Sequence, residues 1–150
     1  MFLDLLNEAV GIILQRYPGA ELLEVDSATY PEGLENPDDI KNWRFVFMSD
    51  NFEDTIFLKW EDGDFSEPVV VPQPWLQDQV IPLPIEYDLA EAVEGLKTAS
   101  LFAPFVCVTL RKPLYPGVTE ASYIFGCLSV QKHYFVGVDS HEITWEGMPE

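Results

Sequence analysis

The side chains best suited to nucleophilic or metal chemistry are few, with two cysteines, Cys107 and Cys127, and two histidines, His133 and His141. Cys107 and His133 would make a nucleophile and its base only if the fold brought them together. The Phe-Val-Cys-Val-Thr context of Cys107 predicts a buried thiol, and burial suppresses thiolate formation. Neither histidine belongs to a His-x-x-x-His or Glu-x-x-His pair, so the sequence predicts no zinc site.

Acidic residues form two further motifs. Glu61-Asp62-Gly63-Asp64 clusters carboxylates, but the twelve-residue calcium loop with its final bidentate Glu is missing, and Asp-Gly favours a tight hairpin. Asp139-Ser140-His141 contains the residue types of a triad, yet consecutive side chains cannot converge on one reacting atom. A glycine-rich phosphate loop is also missing. We therefore predict a protein that is not an enzyme, with no catalytic residue, no metal and no cofactor.

The charge of the chain narrows the class of partner. Its 150 residues include 26 acidic and 8 basic side chains, for a net charge of -18. Such a polyanion is repelled by nucleic acids and by anionic lipid headgroups, so we predict a basic protein partner, no nucleic acid and no membrane. The acidic loops 32–39 and 50–54 predict a negative rim that would steer this partner.

Composition and processing signals indicate a compact intracellular protein. The chain is 47% apolar and 13% aromatic, which predicts a packed core and one compact domain over residues 1–150. The opening Met-Phe-Leu-Asp-Leu-Leu has no basic n-region, and no apolar run reaches the length of a membrane span. With only two cysteines, we predict a cytoplasmic protein. Whether Cys107 pairs with Cys127 stays open, because both fall in predicted strands of the same half.

The hydrophobic pattern predicts a helix followed by strands, twice. Apolar residues at helical spacing predict a first helix that ends at Tyr17-Pro18-Gly19 and a second helix beginning near Leu89. Strand-like runs follow the first helix at 43–48 and 55–60 and the second at 105–110, 123–127 and 133–139. Segment 68–84 contains five prolines, too many for a central strand, so we predict that it joins two halves, 1–67 and 85–150.

Short sequence matches in the same order support a duplication. Glu8-Ala9-Val10 matches Glu91-Ala92-Val93, Trp43-Arg44-Phe45 matches Tyr123-Ile124-Phe125, and Ile56-Phe57-Leu58 matches Tyr134-Phe135-Val136. The predicted fold class is α+β, with tandem helix-plus-three-strand units that form an antiparallel sheet and helices on one face.

Strand alternation then separates a face under the helices from an open face. We expect the open face to bind the partner, because it carries cations and isolated aromatic side chains of the kind enriched in binding hot spots. The predicted partner-binding residues are Arg44, Val46, Phe57, Lys59, Arg111, Ile124 and Phe135.

Three segments give the chain a resemblance to PepSY-type domains. They are Tyr-Pro-Gly-Ala-Glu-Leu-Leu-Glu-Val from Tyr17, Trp-Arg-Phe-Val-Phe from Trp43, and Tyr-Phe-Val-Gly-Val-Asp from Tyr134. The resemblance implies a PepSY-like, cystatin-like fold in which a helix packs on a small antiparallel sheet. It also implies a non-catalytic, binding or inhibitory role, with no catalytic residue to transfer.

These observations favour a non-catalytic cytoplasmic binding protein, an acidic inhibitor or immunity-type protein that docks a basic partner through the open sheet face. One alternative is a small-molecule binding or hydrolytic domain with its pocket between the two halves, using Trp75, Tyr87 or His133. A second alternative is a structural homodimer joined through sheet faces or edges.

Overall fold

The chain folds into two α-helices and one antiparallel sheet in the computed structural model, which describes residues 1–149. Glu150, the last residue of the predicted second half, lies outside the described residues. In chain order the elements are α1 (Phe2–Arg16), β1 (Glu21–Ser27), β2 (Asn42–Met48), β3 (Thr55–Glu61), β4 (Asp64–Phe65), β5 (Val69–Val71), α2 (Leu89–Thr98), β6 (Cys107–Arg111), β7 (Ser122–Cys127), β8 (Lys132–Gly137) and β9 (Ile143–Gly147). The predicted α+β class is confirmed.

One sheet runs through both halves of the chain. Its strand order is β4-β3-β2-β1-β6-β7-β8-β9, with β5 paired to β3. The halves meet where β1 pairs with β6, through residues 24–26 and 109–111. Each half therefore contributes a helix and a run of consecutive antiparallel strands, as the repeated hydrophobic pattern predicts.

Both helices pack on the same face of this sheet. The apolar stripe of α1, with Leu6, Ala9 and Ile13 spaced by three or four residues, is buried along its length. The matching stripe of α2 is buried as well. Alternate strand residues complete the core, and the most deeply buried aromatic side chains among them are Phe45, Phe47, Tyr123 and Phe125.

The hairpin register refines the correspondence between the halves. Phe45 of β2 pairs with Leu58 of β3, whereas Phe125 of β7 pairs with Tyr134 of β8. With Phe45 matched to Phe125, Leu58 therefore corresponds to Tyr134. The sequence match of Ile56-Phe57-Leu58 with Tyr134-Phe135-Val136 preserves the face of each residue but is displaced by two residues.

The Asp62-Gly63 hairpin is confirmed. The turn joins β3 to β4, which pair through Glu61 and Asp64. Asp62 and Gly63 have positive φ angles of 48° and 100°. These angles suit the tight two-residue turn that Asp-Gly favours.

Candidate functional site

Side chains that point away from the helices form two rows across the sheet. Neighbouring strands contribute Lys59, Arg44, Asp26, Thr109, Ile124, Phe135 and Thr144 to one row. Phe57, Val46, Glu24, Arg111, Ser122 and Gly137 form the next row. All seven residues predicted to bind a partner therefore lie on one face, as strand alternation requires.

The N-terminal half of this face is covered by segment 68–84. The Trp75 ring lies 6.0 Å from the Phe57 ring, and the Arg44 guanidinium lies 5.3 and 5.6 Å from the centres of these two rings. Val46 is fully buried. The prediction that Val46 is exposed to a partner is therefore wrong, because its apolar side chain belongs to a second, smaller packed layer.

The C-terminal half of the same face forms a groove of about 840 Å³. Strands β6 to β9 provide its floor, where Ile124 and Phe135 supply apolar surface, and residues of the 113–120 loop form a wall. Of the predicted partner-binding residues, Arg111, Ile124 and Phe135 line this groove. The other four belong to the N-terminal half, where Lys59 is exposed and Arg44 and Phe57 are half-buried.

Gly126 lies between Cys107 and His133 on the groove floor. Its strand neighbours in the register are these two residues. A Cβ at residue 126 would lie 2.8 Å from Cys107 Sγ and 3.8 Å from His133 Nε2. The fold thus places a thiol and an imidazole on either side of Gly126. Burial raises the pKa of the Cys107 thiol, however, and this shift opposes thiolate formation.

Cys107 and Cys127 are both free thiols. Cys107 pairs with Gly126, so its side chain lies on the groove face, whereas Cys127, the next residue along β7, points to the helices. A disulfide between them would have to cross the sheet.

Glu120 fixes one wall of the groove to the turn after β8. Its Oε1 accepts hydrogen bonds of 2.9 Å from the backbone N–H groups of Asp139 and Ser140. Burial alone would raise the pKa of Glu120, but the hydrogen bonds from Ser140 and Asp139 outweigh it and lower that pKa. Gly137 lies directly beneath, where a Cβ would be 2.6 Å from Glu120 Cδ.

A charged cluster lies where the groove meets the covered half of the face. Asp26 of β1 binds Arg44 of β2, with Nη2–Oδ2 at 2.8 Å. Asp78 binds Arg111 of β6, with Nε–Oδ1 at 2.6 Å, and its other oxygen accepts a 2.6 Å hydrogen bond from Trp75 Nε1. The side chain of Asp78 is fully buried. Segment 68–84 is therefore attached to the sheet by the Asp78–Arg111 ion pair as well as by aromatic packing.

Glu24 occupies the centre of this cluster. Its two carboxylate oxygens are 3.7 Å from Arg44 Nη2 and 3.6 Å from Arg111 Nε, beyond the length of a good hydrogen bond. Its side chain is 9% exposed, and the residue lines the groove. Burial, together with hydrogen bonding and charge from Asp26 and Asp78, raises the pKa of Glu24 to about 9. The shift therefore favours the protonated form of Glu24 at neutral pH.

Glu24, Asp78 and Trp75 were not among the predicted partner-binding residues. The sequence contained one signal for this cluster, because Glu24 is a single charged residue inside the apolar run Leu22-Leu23-Glu24-Val25. A charge is rarely buried without a partner, so its place in a central strand indicates a partner from elsewhere in the chain.

The predicted pocket between the halves is only partly assembled. Among Trp75, Tyr87 and His133, only His133 lines the groove. Trp75 packs on Phe57, and Tyr87 stacks on His141 with the ring centres 3.7 Å apart. The groove does receive Glu24 from the first half, but the three residues named for this pocket do not converge.

Residues 1–149 contain no group of three or more His, Cys, Asp or Glu side chains placed to hold a metal ion. Within the same residues, neither helix is long and apolar enough to cross a membrane.

Comparison with known proteins identifies one similarity, which concerns the fold. No protein-family model and no curated protein matches the chain. Among solved structures, the chain is similar to a "putative lipoprotein" from Clostridium difficile 630, with a TM-score of 0.61 and 11% sequence identity over 93% of this chain and 91% of that chain. At this identity the likeness concerns the fold alone, and it covers both halves and their order.

Proposed function

We propose that this protein is a non-catalytic binding protein that docks a basic segment of a protein partner in the groove, as an acidic inhibitor or immunity-type protein of the cytoplasm. The charge of the groove carries the proposal. Its lining includes the carboxylates of Asp26, Glu120, Glu142 and Glu146, whereas Arg111 is the only Lys or Arg side chain that lines the groove. A lysine- or arginine-rich segment complements this lining.

Apolar surface on the floor supplies the other half of the interaction. Phe135 and Ile124 are half-buried, and Tyr115 on the wall is 70% exposed. The aliphatic stems of lysine and arginine pack against such surface while their charged ends reach carboxylates. The net charge of -18 accelerates the encounter with a basic protein but does not select the groove over the rest of the surface.

Two considerations support a binding role over catalysis. The resemblance to PepSY-type domains implies inhibition or binding, and the raised pKa of Cys107 disfavours it as a nucleophile beside His133.

A pair of charge-reversal variants tests the site. Glu142→Lys with Glu146→Lys reverses two exposed charges at the groove, and Asp50→Lys with Glu53→Lys reverses two exposed charges on the loop between β2 and β3, outside the groove lining. Both doubles change the net charge equally, so long-range steering is matched. Proteins retained from native lysate at low salt are identified by mass spectrometry, and their affinities are then measured with purified components.

The groove double should lose the partner, the loop double should keep it, and added salt should weaken retention. The proposal fails if the variant with Glu142→Lys and Glu146→Lys retains the same partner with unchanged affinity. It also fails if added salt does not weaken the retention of the partner. Fractionation of the native host tests the location, since recovery of the chain in an exported or membrane fraction would contradict a cytoplasmic protein.

A second candidate, binding of a small molecule, is favoured by the size of the groove. Its volume of about 840 Å³ lies within the range of ligand pockets, and both halves contribute to it. Thermal-shift screening against metabolites distinguishes the two, because a ligand that binds only the native state raises the melting temperature.

The remaining alternative, a structural homodimer, predicts that the chain sediments as a dimer. A monomer at working concentration would exclude this alternative.

A further inference from the structure

The cluster around Glu24 has one more acid than it has bases. Three carboxyl groups, from Glu24, Asp26 and Asp78, face two guanidinium groups, from Arg44 and Arg111. Asp26 and Asp78 each take one arginine at close range, 2.8 and 2.6 Å. Glu24 is left with contacts of 3.6 and 3.7 Å to arginines that are already paired. Because the side chains of Glu24 and Asp78 are buried, an unbalanced negative charge shared by these two groups is costly.

The groups around Glu24 come from four parts of the chain. Asp26 shares β1 with it, Arg44 approaches from β2, Arg111 from β6, and Asp78 from the segment that crosses the sheet. On the remaining side the carboxyl faces the groove, of which Glu24 and Asp26 form part of the lining. The one direction from which another positive charge can reach Glu24 is therefore the groove.

We propose that Glu24 is a proton-for-cation exchange site, in which a primary alkylammonium group of the partner, a lysine side chain, enters the groove and takes the place of the proton on Glu24. This inference rests on the proposed function, because it specifies what the groove accepts. The O–H bond of the carboxyl breaks, the proton passes to the solvent buffer, and the carboxylate pairs with the incoming ammonium. Charge balances, because one cation replaces another in the cluster.

Shape favours an ammonium over a guanidinium. The Glu24 side chain is only 9% exposed, and a compact ammonium group needs less room beside it than a planar guanidinium. The stem would pass Thr109 of β6 and reach toward Ile124 of β7, which follow Asp26 strand by strand in the row beside Glu24. The raised pKa of Glu24 agrees with this geometry, because the same burial and the neighbouring carboxyl groups of Asp26 and Asp78 favour a proton on Glu24.

Proton exchange gives the site a distinct pH signature. Binding of the ammonium must release the proton of Glu24, so the affinity should rise about tenfold per pH unit between pH 6 and pH 8.5 and level off above the pKa of Glu24. A lysine side chain remains charged over this range, since its ordinary pKa is about 10.4. Attraction to exposed carboxylates alone would show no such slope, and a slope that persists in Glu24→Gln would instead indicate His133, the imidazole that also lines the groove.

The test uses the full chain and n-butylammonium chloride as the probe. Side-chain carboxyl carbons are followed by NMR from pH 5 to 10, with and without the probe, and shifts at Thr109 and Ile124 report entry into the groove. We expect saturating probe to lower the apparent pKa of Glu24 by at least one unit. Glu24→Gln should bind more weakly and without pH dependence, whereas Glu21→Gln, an exposed position on the same strand, should behave as the wild type.

The outcomes separate the two proposals. If the probe shifts the groove signals but leaves the titration of Glu24 unchanged, the exchange site is overturned and docking of a basic partner stands. If the probe shifts no groove signal, the exchange site is overturned as well. Docking of a protein partner is decided separately, by the charge-reversal pair.

Discussion

Replacing Glu24 by glutamine should make the folded protein more stable at neutral and alkaline pH. Glutamine has the shape of the protonated carboxyl and cannot ionise. The wild-type chain must either hold a proton on Glu24 when folded or place an unbalanced charge among Asp26 and Asp78. The variant avoids both costs, so its advantage should grow as the pH rises.

The magnitude follows from the difference between two pKa values. The ordinary pKa of the carboxyl is 4.5, and the fold raises the pKa of Glu24 to about 9. Between these values the folded state holds a proton that the unfolded state has lost, so stability falls as the pH rises, by about 1.4 kcal/mol per unit. The fall is absent well below pH 4.5 and complete near pH 9. From pH 5 to pH 7.5 it amounts to about 3 kcal/mol of unfolding free energy.

Urea unfolding at a series of pH values measures this effect. The free energy of unfolding of Glu24→Gln minus that of the wild type should increase by about 3 kcal/mol from pH 5 to pH 7.5. Glu21→Gln controls for the loss of one charge from the same strand, and its difference from the wild type should stay nearly flat. Parallel curves for Glu24→Gln and the wild type would refute the reasoning, because Glu24 would then be ionised in the folded protein.

Further predictions concern the supports of the site. Gly137→Ala should cost about 1–3 kcal/mol in urea unfolding, because its Cβ would meet Glu120, and the cost should shrink in a Glu120→Ala background. Asp88→Ala should cost about 1–2 kcal/mol, since this buried N-cap of α2 also accepts a 3.0 Å hydrogen bond from Leu3 N–H; an unchanged urea midpoint would contradict it. Cys107 should resist iodoacetamide at pH 7 and react once urea unfolds the chain, because burial raises its pKa; rapid modification of the native protein, seen by mass spectrometry, would contradict this.

The architecture was accessible from the sequence because its signals are local. The stripe of α1 and the alternation in β2 and β7 each identify an element and its buried face within a few residues. The Asp62-Gly63 turn is similarly local. Because the second half repeats these signals in order, a tandem arrangement could be predicted.

The site was less accessible because it depends on contacts between distant residues. Asp78 and Arg111 are 33 residues apart, and only the folded chain places Asp78 beside Glu24. Segment 68–84 was predicted to join two halves, but nothing local shows that its Trp75 and Asp78 reach the open face of the sheet. For this reason strand alternation placed Val46 on the correct face and still gave the wrong exposure.

Segment 68–84 also explains why the outer faces of the two halves differ although their architecture is repeated. Each half presents the same kind of face, but the single connection between the halves can cover only one of them. It lies over the first half, where Trp75 packs on Phe57, and leaves the groove over the second. Its Asp78 is the third carboxyl of the cluster around Glu24, which lies at the border between the covered and open regions. The segment that covers one face thus creates the charge imbalance at the edge of the other, which is why we place recognition at this border.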